Sequence, residues 1–244
     1  MTNKISAGSY DLNRFLQGGY EKDIITTIYG PGGSGKSNFV MCVCVSQVKK
    51  GNKVLFIDTE GSFSVERFKQ IHGGEKEEID KSISNVLLLN PTNYSEQEEC
   101  FEKINKYISK DEFSLIIVDS IGILYRLELS DAIETKNEEN IKSVNRKMAK
   151  QLMVLNEIAR KKNIPVVVTN QVYTSFSKDD NESSIRETNM VGGDLLKYWS
   201  KCLIELQNNF GRRKIILRKH RSLPEKEMFF EISDSGIKKR GIFT

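Results

Sequence analysis

The chain has 244 residues, 38% of them hydrophobic and 29% charged, with a formal net charge of +4. That balance describes a folded globular protein with a sizeable core and excludes a charged disordered chain, while the charge excess alone is too small to establish a polyanion partner. No apolar run reaches a membrane span and the first residues lack the apolar centre of a signal peptide, so a cytoplasmic protein with no membrane contact is expected.

Short β-rich runs recur along the chain: DIITTIY (23–29), KVLFID (53–58), NVLLLN (85–90), FSLIIVD (113–119) and IPVVVTN (164–170). Helical patterns separate them. In the longest, Ile141, Val144, Met148, Leu152, Leu155 and Ala159 recur at three-and-four spacing, with Lys142, Arg146 and Lys150 on the other face. Strands that are apolar nearly throughout and alternate with helices predict an α/β fold with a mostly parallel central sheet covered on both faces. After residue 198 the pattern changes to WSKCLIELQ, RKIILRKH and KEMFFEIS, joined by the turn-like NNFG and RSLPE, which predicts antiparallel hairpins extending the sheet. No linker or internal repeat divides the chain, so one domain over 1–244 is expected. Cys42, Cys44, Cys100 and Cys202 have no metal-ligand or CxxC spacing, and neither a disulfide nor a zinc site is assigned.

In an open α/β sheet ligands gather at the carboxyl ends of the strands, so the residues that follow each strand are the ones to examine. The first strand runs into GPGGSGKS: Gly30, Pro31, Gly32, Gly33, Ser34, Gly35, Lys36 and Ser37 satisfy GxxxxGK[ST] between a strand and a helix. Such a loop turns its N–H groups inward around phosphate, its lysine reaches the β- and γ-phosphates, and its serine ligates Mg²⁺. ATP and Mg²⁺ are therefore the expected ligands.

Asp119 closes the apolar LIIVD and is the expected second Mg²⁺ group, acting through water. VLFIDTEGSF (54–63) ends on Asp58 and Glu60. A carboxylate just past a neighbouring strand is placed to orient an attacking water, which assigns Glu60 as the catalytic base and leaves Asp58 a structural part. Asn170 and Gln171 end another strand. An amide there either senses the γ-phosphate or simply closes the strand.

Arg212, Arg213, Lys214, Arg218, Lys219 and Arg221 fall in one segment that contains no acid. They form either a polyanion surface or a solvated edge hairpin that uses charge against aggregation.

The order of these pieces resembles the RecA/RadA recombinase superfamily, from about Ile5 to the last strand. ISAGSYDLNRFLQGG is similar to the lead-in to that superfamily's phosphate loop, IDTEGSFSVERF to its glutamate strand, LIIVDSIG to its Walker B strand, and TNQV to the sensor strand that opens its second DNA loop. VGGDLLKYWSKCLIEL, the basic hairpins and LPE continue the match. The resemblance implies a RecA-like P-loop ATPase core, carries family roles onto Lys36, Ser37, Glu60, Asp119 and Gln171, and puts two DNA loops near 126–137 and 172–190. In the second, Tyr173, Phe176, Lys178 and Arg186 mix rings and cations in the way single strands require, with Arg212, Arg213 and Lys214 as further DNA contacts.

The sequence also departs from full recombinases. Only four residues precede Ile5, so their N-terminal helical domain is not expected, and no Phe is followed three residues later by the Ala of their FxxA-like subunit hook. The first loop carries Glu128, Asp131 and Glu134, which repel phosphate. A core-length chain with these losses most resembles the short archaeal RadB branch, paralogues of RadA. That implies DNA binding (single-stranded or branched), weak ATP hydrolysis, no strand exchange by itself, and an accessory role in repair and recombination with RadA and a Holliday-junction resolvase. An autonomous strand-exchange ATPase and a clock-like signalling ATPase acting without DNA stay open.

Overall fold

The structure, a computed structural model, describes residues 3–110, 112–176 and 186–241. In chain order the elements are β1 (Lys4–Ile5), α1 (Tyr10–Phe15), β2 (Tyr20–Glu21), β3 (Ile25–Gly30), α2 (Lys36–Val48), β4 (Lys53–Asp58), α3 (Val65–His72), α4 (Lys76–Ile83), β5 (Val86–Leu89) and α5 (Tyr94–Lys110). There follow β6 (Phe113–Asp119), α6 (Ile123–Glu134), α7 (Glu138–Lys162), β7 (Val166–Phe176), β8 (Arg186–Met190), α8 (Gly193–Trp199), β9 (Ser200–Asn209), β10 (Arg212–Lys219), β11 (Lys226–Ser233) and β12 (Gly236–Lys239).

The main sheet has the order β12-β11-β10-β9-β3-β7-β6-β4-β5. It is parallel from β9 to β5 and antiparallel from β9 outward to β12. The expected α/β architecture with C-terminal hairpins is thus present, with β9 itself joining β3 in parallel. The expected strands needed no alternation of polar and apolar residues because both their faces are covered. On one side α1, α2 and α3 enclose Phe39, Val43, Phe56, Phe68, Leu115 and Phe230; on the other α5, α6, α7 and α8 enclose Ile57, Ile104, Val118, Leu152, Leu155 and Val168.

α2 is apolar around nearly its whole circumference and accordingly lies inside, buried from Phe39 to Val45. α7 shows the amphipathic alternative: Val144, Met148, Leu152, Leu155 and Ala159 are buried and Lys142, Arg146 and Lys150 are exposed. The outer edge of the sheet at β12 is closed by the N-terminal segment, where Ser9 Oγ donates to the Ile237 carbonyl at 2.5 Å and the Lys239 N–H donates to Asp11 at 2.8 Å. No helix among the described residues is long and apolar enough to cross a membrane.

Two expectations change. The first DNA loop, placed at 126–137, is mostly helix α6, because ILYRLELSDAIE is a run of good helix formers uninterrupted by Gly or Pro. The second, placed at 172–190, has its arms in β7 and β8, which pair from Val172↔Met190 to Phe176↔Arg186.

Parallel pairing brings the carboxyl ends of β3, β7, β6 and β4 to one edge. In register, Gly30 stands beside Gln171 and Asp58 beside Asp119. The four segments singled out in the sequence therefore share one place.

Candidate nucleotide-binding site

β3 ends at Gly30 because the neighbouring strand is too close for a side chain: a Cβ there would lie 2.3 Å from the Leu206 carbonyl oxygen. At the far end of the loop Gly35 caps α2 with φ 107°, in the left-handed region. Its Cβ would meet Ile232 at 2.9 Å. Between them Gly32 and Gly33 face open space, so the outer side of the loop is clear.

No side chain caps the first turn of α2, which leaves its N–H groups for an anion. Ser34 is buried, and its Oγ has no partner among the described residues. Lys36 is 7% exposed and its Nζ donates to the carbonyls of Gly30 and Pro31, both at 3.0 Å. Burial pushes this ammonium below the usual lysine range, opposed by the negative charges of Glu60 and Asp119. A buried cation resting on its own loop, an orphaned hydroxyl and a clear glycine face fit a phosphate ligand. Ser37, half-buried on the first turn of α2, stands next to the lysine as the candidate Mg²⁺ group.

The carboxylates divide by environment. Asp58 is 3% exposed; one oxygen accepts the N–H groups of Ser62 (3.0 Å) and Glu60 (3.3 Å), the other that of Phe63 (2.8 Å). It organises the turn that carries Glu60. Asp119, 1% exposed, accepts from the Thr169 hydroxyl and from Ser62 Oγ at 2.6 Å. Ser62 Oγ also approaches Asp58 at 3.3 Å, but a hydroxyl has one proton and the shorter contact holds it. One backbone and one side-chain bond tie the two turns together: the Thr59 N–H donates to the Asp119 carbonyl (2.8 Å) and the Ser120 N–H to the Thr59 hydroxyl Oγ1 (2.8 Å), across a cis Asp119–Ser120 peptide.

Glu60 is exposed, and its Oε1 accepts a hydrogen bond from Gln171 Nε2 at 3.0 Å. The structure thus joins two residues that the sequence offered separately, 111 positions apart. Asn170 has a different task. Fully buried, it donates from Nδ2 to the Val191 carbonyl at 2.7 Å, while the Val191 N–H donates to the Gln171 carbonyl at 3.1 Å. Contrary to expectation, β7 does not end at these residues but runs on to Phe176, and its middle is thus pinned to the segment that starts α8.

The remaining candidates are dispersed. Tyr173 is 41% exposed, and the Arg126 guanidinium of α6 lies over its ring, 5.7 Å from the centroid. Arg126 had no sequence signal of its own; only the packing of α6 on β7 reveals it. Phe176 and Arg186 are paired strand residues, and Lys178 lies outside the described residues.

Three of the six cations of the basic segment are neutralised by acids from elsewhere in the chain. Lys214 pairs with Glu227 at 3.0 Å, Arg218 with Glu205 at 2.6 Å and with Glu225, and Arg221 with Glu21 at 3.0 Å and Asp23 at 2.8 Å. Arg212 is exposed beside the tight turn Phe210–Gly211. Arg213 is half-buried on the opposite face from Lys214, its Nε without a partner among the described residues.

A family model described as Rad51 matches residues 2–240. The chain belongs to the Rad51 family, on its RadB branch. It is 39% identical over 231 residues to the DNA repair and recombination protein RadB of Methanobrevibacter smithii, covering 93% of this chain and 92% of that one. Identity to the protein of the same name from Methanocaldococcus jannaschii is 37% over 226 residues, covering 93% and 98%. A crystal structure described as the RadB recombinase superposes with TM-score 0.75 at 31% identity, covering 97% of this chain and all of that one.

Proposed function

We propose that this RadB-family chain is an ATP-binding accessory protein of DNA repair and homologous recombination, in which bound ATP changes the conformation of a DNA-facing surface. Its relatives carry the name DNA repair and recombination protein. The residues from Gly30 to Ser37 would hold the triphosphate, with Lys36 at the β- and γ-phosphates; Ser37 and Asp119 would hold Mg²⁺, which supplies charge neutralisation at the phosphates.

The observation that carries the reading is the Gln171–Glu60 hydrogen bond. Gln171 lies on β7, whose next residues run through Tyr173 to the proposed DNA loop, and its backbone is tied to Val191. A side chain that exchanges Glu60 for a phosphate oxygen would therefore move the DNA-facing strand and the root of α8 together. Glu60, once released, is free to orient a water. Hydrolysis is weak in this proposal, because Glu60 is free to act only in the fraction of molecules whose amide has exchanged it for the phosphate.

Tyr173, Arg126, Phe176, Lys178 and Arg186 are the proposed contacts to single-stranded or branched DNA, with Arg212, Arg213 and Lys214 on a different element as further candidates. RadA and a Holliday-junction resolvase are the proposed protein partners. Gln171→Ala tests the scheme: ATP binding should persist while the effect of ATP on DNA affinity disappears. An unchanged ATP effect in that variant overturns the switch.

A further inference from the structure

Asp58 and Asp119 end neighbouring strands in register, and both are buried. Two buried carboxylates side by side repel, and each needs donors of its own. Asp119 takes hydroxyl protons on both oxygens, from Thr169 and from Ser62. Asp58 takes backbone N–H groups instead, those of Ser62, Glu60 and Phe63. Ser62 therefore holds both acids, Asp119 through its hydroxyl at 2.6 Å and Asp58 through its N–H at 3.0 Å. Among the described residues no other side chain hydrogen-bonds to the carboxylate of Asp119 while its own N–H serves that of Asp58.

The hydroxyl has a second acceptor within reach, Asp58 Oδ1 at 3.3 Å. Its one proton serves one acid at a time, and the shorter contact gives it to Asp119. The turns themselves are fixed. The Thr59 N–H donates to the Asp119 carbonyl, and the Thr59 hydroxyl donates to the Ser120 carbonyl at 2.6 Å. With the backbone held, the direction of the Ser62 hydroxyl follows the charge on the two carboxylates. Positive charge brought to Asp119 weakens its hold on the proton and leaves Asp58 the stronger acceptor. There the hydroxyl meets an oxygen that already takes two N–H groups. The longer of these bonds, from Glu60 at 3.3 Å, is the one it displaces.

We propose that Ser62 is a positioning residue that relays a divalent cation at Asp119 to the turn carrying Glu60. The cation is the Mg²⁺ of the nucleotide site proposed above, and the role rests on that reading. Gln171 releases the Glu60 carboxylate and Ser62 releases its backbone, so the glutamate is free only when phosphate and cation are both in place.

The test is the ratio of ATP affinities in Mg²⁺ and in EDTA, measured by calorimetry. In Ser62→Ala the cation no longer displaces a hydrogen bond on Asp119, so the ratio should rise about tenfold, the lower end for a bond to a charged acceptor. Ser62→Thr keeps the hydroxyl and should keep the original ratio. A purely structural serine gives the opposite sign, because its loss loosens the metal site and lowers the ratio. Hydrogen exchange read on the segment 59–63 is the second measurement: in the original protein and Ser62→Thr, Mg²⁺ added to ATP should speed exchange, and in Ser62→Ala it should have no effect. A ratio unchanged or lowered in Ser62→Ala overturns the proposal, as does exchange in the original protein that ignores Mg²⁺. If Gln171→Ala loses the ATP effect on DNA while Ser62→Ala behaves as the original, the relay fails and the proposed function stands. If the original protein does not bind ATP in Mg²⁺, both fail.

Discussion

Asp58 allows the sharpest energetic prediction. Its carboxylate is buried and holds the N–H groups of Ser62 and Phe63 at 3.0 and 2.8 Å, with a longer bond to Glu60. Hydrogen bonds to a charged acceptor contribute about 1.5–3 kcal/mol each, and removing the acceptor strands donors that the native turn cannot re-pair. The two short bonds therefore put the cost of Asp58→Ala at roughly 3–6 kcal/mol. In a chain of this size that corresponds to a fall in Tm of about 10 °C. Asp58→Asn keeps one acceptor oxygen but turns an NH₂ toward a donor, and should fall about midway. Urea unfolding followed by circular dichroism measures both, and ATPase assays on the folded fraction should show Glu60 losing its placement. A loss below about 1 kcal/mol in Asp58→Ala, well under the value of even one such bond, would refute the reasoning.

Lys36→Met should abolish nucleotide binding yet leave the unliganded protein as stable as the original or more so, read as an unchanged or raised Tm that ATP no longer shifts. The sign follows from the depressed lysine pKa: the folded state binds this proton less readily than the unfolded chain, so the burial penalty is fully present at neutral pH. It is relieved as pH rises toward the unfolded lysine value, and the original protein should gain stability over that alkaline range relative to Lys36→Met. Glu60→Gln should lower any ATP hydrolysis about a hundredfold or more while sparing ATP binding, checked by phosphate release beside calorimetry. Gly122→Ala would place a Cβ 2.2 Å from Asn170 Oδ1. Displacing Asn170 from the Val191 carbonyl should cost about 2–4 kcal/mol by the mechanisms of overpacking and a lost buried hydrogen bond, measured by denaturant unfolding.

What could be read from the sequence was what is decided locally. The phosphate loop is legible because its glycines answer backbone demands at Gly30 and Gly35 within a few residues of each other. The central strands are legible because burial on both faces leaves an unbroken apolar run. Contacts between distant segments were not. Nothing near Glu60 announces Gln171, and nothing near Tyr173 announces Arg126, since each pair meets only when the parallel sheet and α6 are assembled. The basic segment is the clearest example. Read along the chain it contains no acid, but Glu227, Glu205, Glu225, Glu21 and Asp23, from outside the segment, take up three of its six charges. Arg212, Arg213 and Lys219 stay outside those pairs, and only the fold separates them from the other three.

The claim that ATP acts as a conformational signal has a direct test in linkage: a nucleotide that changes DNA affinity must have its own affinity changed by DNA to the same degree. Binding of labelled single-stranded DNA should be measured with and without ATP·Mg²⁺ for the original protein and for Lys36→Ala, alongside ATP binding with and without DNA. The prediction is a shift in DNA affinity by ATP in the original protein, an equal reciprocal shift in ATP affinity, and neither in Lys36→Ala. Tight binding of both ligands with no mutual effect, or an ATP response that survives Lys36→Ala, would contradict it.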